Sequence, residues 1–75
     1  MVIVYSTPSC PYCNMAKQFL RSKNISFEDV DVSKDYAKAM EMVRKSGQTG
    51  VPVIDFNGEI IIGFDRGRLE KLSSK

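Results

Sequence analysis

The chain reads as an α/β domain: a four-stranded mixed sheet with three helices, in the order β-α-β-α-β-β-α. Three observations give this class. Short apolar, β-branched runs alternate with segments of helical period. Helices separate the first strands, which calls for parallel pairing through crossovers. Asn57-Gly58, set between two apolar runs, is the strongest two-residue signal for an antiparallel hairpin. At 75 residues and 8.4 kDa, the expectation is a single domain over 1–75, with about 60% of the unfolded surface buried and therefore a thin core.

The elements follow in order. Residues 2–5 form a continuous apolar run that suits a strand buried on both faces. After the Ser6-Thr7-Pro8-Ser9 turn, residues 11–23 place Met15, Ala16, Phe19 and Leu20 at helical spacing, leaving Lys17, Arg21 and Lys23 to face water. Pro11 fits the first helical position, and Asn24 can end the helix in a left-handed conformation. A second strand is expected over 25–32, with Ile25 and Phe27 on one face and Val30 and Val32 on the other. Ser33 is then expected to cap a helix running to about Lys45, with Tyr36, Ala39, Met40 and Val43 as its apolar stripe and Gly47 as its stop. The Met40, Met42 and Val43 group reads as core. Residues 51–56 and 59–62 are the hairpin strands. Asp65 caps a last helix to about Leu72, where Phe64 and Leu69 suit a hydrophobic staple and Arg66, Arg68 and Lys71 a solvated face.

Composition narrows the function. With 43% hydrophobic and 27% charged residues the chain has the balance of a soluble globular domain. A net charge of +2 and no basic run beyond two residues argue against nucleic acid as a partner. No apolar stretch approaches membrane-spanning length. Two cysteines and no histidine cannot supply four ligands to a structural zinc within one chain, so no metal site is expected. A disulfide between Cys10 and Cys13 would close a ring too small to be a good staple, worth roughly 2 kcal/mol before strain. A cytoplasmic setting, where thiols are kept reduced, is the expected location.

The chemistry concentrates in three segments. Cys10-Pro11-Tyr12-Cys13 lies where the first strand hands over to the first helix, and its two sulfurs, three residues apart, can meet on one face. The free N–H groups of the first turn and the positive end of the helix favour a thiolate there. Cys10 at the cap is expected to be the more exposed and Cys13 the shielded one. That asymmetry suits thiol–disulfide exchange, in which an outer sulfur attacks and an inner one resolves the mixed disulfide. Val51-Pro52 is either an ordinary proline at the head of a strand or, in the company of the cysteine pair, a cis peptide that turns the Val51 backbone toward an extended substrate. Gly63-Phe64-Asp65 is either a turn, staple and cap or a second helix start able to receive a substrate carboxylate, with Asp65 meeting an amine.

With these segments placed, the chain resembles a small dithiol glutaredoxin over essentially its whole length. Cys10-Pro11-Tyr12-Cys13 matches the dithiol motif, Val51-Pro52 the family's cis-proline dipeptide, and Gly63-Phe64-Asp65 the segment that receives the γ-glutamyl end of glutathione. The resemblance implies a thioredoxin fold, with Cys10 as nucleophile and Cys13 as resolving thiol. It also implies a glutathione site formed by Tyr12, Val51, Pro52, Gly63, Phe64 and Asp65. No bound cofactor is implied; glutathione is the co-substrate, disulfide-containing or glutathionylated proteins are the substrates, and the chain acts as a monomer. Three positions depart from the pattern: Thr7 stands where many glutaredoxins carry lysine, Gly50 where the family has threonine, and Ile62 where one glycine of a pair is usual. The Tyr5-to-Cys10 opening and Ser46-Gly47-Gln48 also resemble redoxins that supply electrons to ribonucleotide reductase and are reduced by thioredoxin reductase. Those proteins usually lack Pro-Tyr between the cysteines. A carrier of iron–sulfur clusters or metal, with two chains each giving a Cys10 thiolate, is a further alternative, which Pro11 disfavours by stiffening the site.

Overall fold

Strand β1 (Val2–Ser6) sits inside a four-stranded sheet of order β2-β1-β3-β4 and organises the rest of the chain. The computed structural model describes residues 1–73. The other elements are α1 (Pro11–Ser22), β2 (Glu28–Asp31), α2 (Tyr36–Ser46), β3 (Val53–Phe56), β4 (Glu59–Ile62) and α3 (Arg66–Ser73). β1 pairs parallel with β2 and antiparallel with β3, and β3 pairs antiparallel with β4. This is the mixed sheet and element order that the sequence implies.

Alternation along β1 divides the core into two layers. Val2 and Val4 point to one side, where they join Ala16, Phe19 and Leu20 of α1, Ile54, Phe56, Ile61 and Leu69. Tyr5 points to the other, with Val30, Met42 and Val53. Helices α1 and α3 therefore cover one face and α2 the other. The hairpin turn has Asn57 and Gly58 at φ 54° and 100°, the left-handed pair that a two-residue turn of this type requires. Asn24 ends α1's descent at φ 57°.

Three boundaries differ from expectation. β2 pairs only over Glu28–Asp31, because residues 25–27 leave the ladder; Ile25 and Phe27 nevertheless pack on the α1/α3 side and Val32 on the α2 side, as their spacing implies. Helix α2 is capped by Asp35, whose Oδ1 accepts from Lys38 N–H at 3.1 Å. Ser33 is instead drawn back to Asp31, its N–H donating to Oδ1 at 2.9 Å. The stripe shifts with the cap: Met42 is buried, Ala39 and Val43 are half-buried, and Tyr36 stands 79% exposed. Met40 is exposed as well, so of the three residues read as core only Met42 is fully so. β3 begins at Val53 rather than Val51, because Val51-Pro52 is a cis peptide whose proline has no N–H for the ladder.

Candidate active site

Strand register brings the three chemical segments together. Tyr5 of β1 lies opposite Val53 of β3, and Val53 lies opposite Ile62 of β4. The chain leaving β1, the chain entering β3 and the chain leaving β4 thus emerge side by side at one end of the sheet. They carry Cys10, Val51-Pro52 and Gly63. Gly63, at φ 77°, is fastened there by its N–H, which donates to the Pro52 carbonyl at 2.8 Å.

Cys10 is the N-cap of α1, with extended backbone (φ −93°, ψ 112°), and Pro11 opens the helix behind it. Its sulfur is the capping group: Cys13 N–H donates to Cys10 Sγ at 3.2 Å. The thiol in turn donates to the Val51 carbonyl at 3.9 Å. The cis peptide thus aims the Val51 backbone at the half-buried sulfur. Cys13, one turn on, is wholly buried, and both cysteines are free thiols. Burial is the first cause that pushes the Cys13 thiol up to about 11; its hydrogen bond with Cys10 and the charge there act the same way, against a backbone hydrogen bond from Thr7 and the charge of Lys17. The expected asymmetry between an accessible outer sulfur and a shielded inner one is present.

The other predicted residues are dispersed around this centre. Tyr12 is 62% exposed on the rim. Phe64 is half-buried and packs edge-on against Phe19, with ring centroids 6.3 Å apart, so it belongs to the wall between α1 and α3. Asp65 caps α3, its Oδ1 accepting from Arg68 N–H at 3.1 Å. Beside Cys10, on the α2 side, lies a groove of about 350 Å³ whose walls include Thr7, Val32, Met40, Val43 and Val51 and carry no charged side chain. Gln48 braces the loop below: its amide spans Gly50, donating to the carbonyl at 2.9 Å and accepting from the N–H at 3.2 Å. A β-carbon on Gly50 would meet Gln48 Oε1 at 3.0 Å, so a side chain there would displace the Gln48 amide from this brace. Among the described residues no three His, Cys, Asp or Glu side chains gather to hold a metal, and no helix is long and apolar enough to cross a membrane.

One group near the cysteines was misplaced by the sequence reading. Lys17 does not face water: its side chain is only 12% exposed and its ammonium lies 3.0 Å from Asp29 Oδ2. Ser6, buried at the end of β1, donates to the other oxygen of Asp29 at 2.9 Å. The available signal was spacing alone, since Lys17 follows Cys13 by four residues on the same helix.

The comparisons agree with this geometry. The family model for glutaredoxin matches residues 2–61. The chain is 48% identical over 75 residues, covering all of both chains, to an uncharacterised glutaredoxin-like 8.6 kDa protein in a rubredoxin operon of Clostridium pasteurianum. It is 41% identical over 64 residues to glutaredoxin 3 of Escherichia coli K12, covering 85% of this chain and 77% of that one. The crystal structure of the thioredoxin-like protein BC3987 superposes with a TM-score of 0.90 at 32% identity, covering 96% of this chain and 99% of that one. The chain belongs to the glutaredoxin family, whose members are thiol–disulfide oxidoreductases.

Proposed function

We propose that the protein is a dithiol oxidoreductase that reduces protein disulfides and glutathione mixed disulfides, with glutathione as its electron donor and the cytoplasm as its setting. The observation that carries this reading is the division of labour between the two sulfurs: Cys10 is accessible and hydrogen-bonded by the first turn of α1, while Cys13 is sealed beneath it. Cys10, as thiolate, attacks one sulfur of the substrate disulfide and forms a mixed disulfide, expelling the other sulfur as a thiolate. Cys13 gives up its proton and attacks Cys10 Sγ. The substrate's second sulfur leaves as a thiolate and is protonated, and a Cys10–Cys13 disulfide remains. Two electrons have passed to the substrate, and two thiols of the donor restore the protein. In this reading the Val51 backbone presents peptide groups to an extended ligand, with Pro52 and Gly63 fixing that edge. Tyr12 and Phe64 flank it, and Asp65 meets the amine of a γ-glutamyl group.

A second reading changes only the donor, to thioredoxin reductase. The uncharged groove beside Cys10 favours it, because glutathione carries a second carboxylate besides that of its γ-glutamyl end and the groove offers it no cation. Reducing the oxidised protein with glutathione and, separately, with thioredoxin reductase decides between them. Faster reduction by glutathione is expected, and reduction by the reductase alone would replace the first reading with the second. Cys10→Ser should abolish turnover of a glutathionylated substrate while Cys13→Ser retains part of it; full activity in Cys10→Ser would overturn the roles.

A further inference from the structure

The pairing of the Lys17 ammonium with Asp29 is not explained by stability. An ion pair whose carboxylate is 44% exposed contributes little to folding, about 0–1 kcal/mol, and ordering a lysine costs entropy. Yet both oxygens of Asp29 are engaged, one by Ser6 from β1 and one by Lys17 from α1, so the ammonium is held in one place. Lys17 lies one turn along α1 from Cys13, on the same side of the helix, and its charge acts on that sulfur. Cys13 is the sulfur that most needs a cation. It is wholly buried, and it must become an anion to act.

We propose that Lys17, fixed by Asp29 and Ser6, is a positioning residue for the second half of the exchange, its charge stabilising the Cys13 thiolate as that sulfur attacks Cys10. The inference rests on the exchange roles proposed above for the two cysteines. The proton of Cys13 passes to solvent, and the departing substrate thiolate takes one up. In the reduced protein Cys10 opposes ionisation of Cys13, by hydrogen bond and by charge. Once Cys10 is bonded to substrate it no longer carries that charge, and Lys17 then acts against burial with less opposition. The titratable groups acting on Cys13 are thus Cys10 and Lys17 on its own helix, with Asp29 of β2 reaching it through Lys17.

The test uses the full chain with Lys17→Met, which keeps the apolar stem, and Lys17→Arg, which keeps the charge. The mixed disulfide with a peptide thiol is formed and its resolution is followed by rapid mixing across pH. In Lys17→Met, resolution should slow roughly tenfold at neutral pH, with its pH midpoint about one unit higher, while formation of the mixed disulfide changes less than twofold. Lys17→Arg should restore most of the rate. A second readout is the thiolate absorbance of Cys13 in a Cys10→Ser background, whose midpoint should rise with Lys17→Met and not with Lys17→Arg. An unchanged midpoint, or equal slowing of both steps in both variants, would overturn the proposal. If the unsubstituted protein forms no mixed disulfide through Cys10, the exchange roles themselves fail, a result distinct from a normal exchange that ignores Lys17.

Discussion

The two faces of the sheet are built on different principles. Among the described residues, nine buried ones on the α1/α3 side, all apolar, interlock. On the α2 side the buried cluster is four residues, and one is a tyrosine. The Tyr5 ring is fully buried, but its hydroxyl donates to Glu41, accepts from Lys45 at 2.8 Å, and shares Lys45 with Asp55, also at 2.8 Å. A dry layer thus anchors the helix that carries the cysteines. A smaller layer, finished by a charged network, holds the helix that walls the uncharged groove. The difference teaches where this small domain places its apolar area: behind the reactive thiols, where α1 must not shift.

The sharpest way to break that comparison is to truncate each layer. Leu20→Ala, at a site with no exposure, should cost about 3–5 kcal/mol in denaturant unfolding. Met42→Ala, in the smaller cluster that partly buried Ile3, Val32, Val43, Val51 and Ile60 surround, should cost about 2 kcal/mol. Equal losses would make the two layers energetically alike.

The network should matter less, and with a particular pH signature. Tyr5→Phe, which removes the hydroxyl and leaves the ring, should cost about 1 kcal/mol by the same measurement. The Lys45 ammonium holds the Asp55 carboxyl below its usual range, and Asp55 and Tyr5 hold Lys45 above its own. Asp55 therefore adds stability that is present above its unfolded value, near 3.9, and is lost as pH falls through its lower folded value. Lys45 adds stability present below its unfolded value, near 10.4, and lost as pH rises through its higher folded one. Asp55→Asn should flatten the acid limb of a plot of urea midpoint against pH, and an unchanged limb would show that the network does no stabilising. Smallest of all, Arg66→Ala removes an exposed i,i+4 pair with Glu70 and should move stability by no more than about 0.5 kcal/mol.

Local chemistry made much of this molecule readable in advance. Asn57-Gly58 fixes a hairpin and its register, Pro11 opens a helix, and Gly47 at φ 76° closes one, each through constraints that act within a few residues. Where two local caps competed, a neighbouring carboxylate chose. Ser33 and Asp35 are both good caps, and only the return of Ser33 to Asp31 decided for Asp35. The site divides the same way. Cys10 and Cys13 were legible because their spacing is their geometry. Lys17 was not, because its orientation depends on a carboxylate twelve residues away on strand β2, and that strand on a parallel pairing with β1.

The helix caps carry a last consequence. Helices α2 and α3 begin on the carboxylates of Asp35 and Asp65, groups that remain the same from one turnover to the next. Helix α1 begins on a sulfur, and in the exchange proposed above that sulfur is bonded first to substrate and then to Cys13. A divalent sulfur already joined to another is a poorer acceptor than a thiolate, so the amide of Cys13 loses part of its partner each time the protein is oxidised. The amide hydrogen bond at the start of α1 is therefore stronger when Cys10 is a thiolate than when its sulfur is half of a disulfide. A donor that reduces the disulfide also restores a helix cap, and secondary structure in this chain bears on which redox state it prefers.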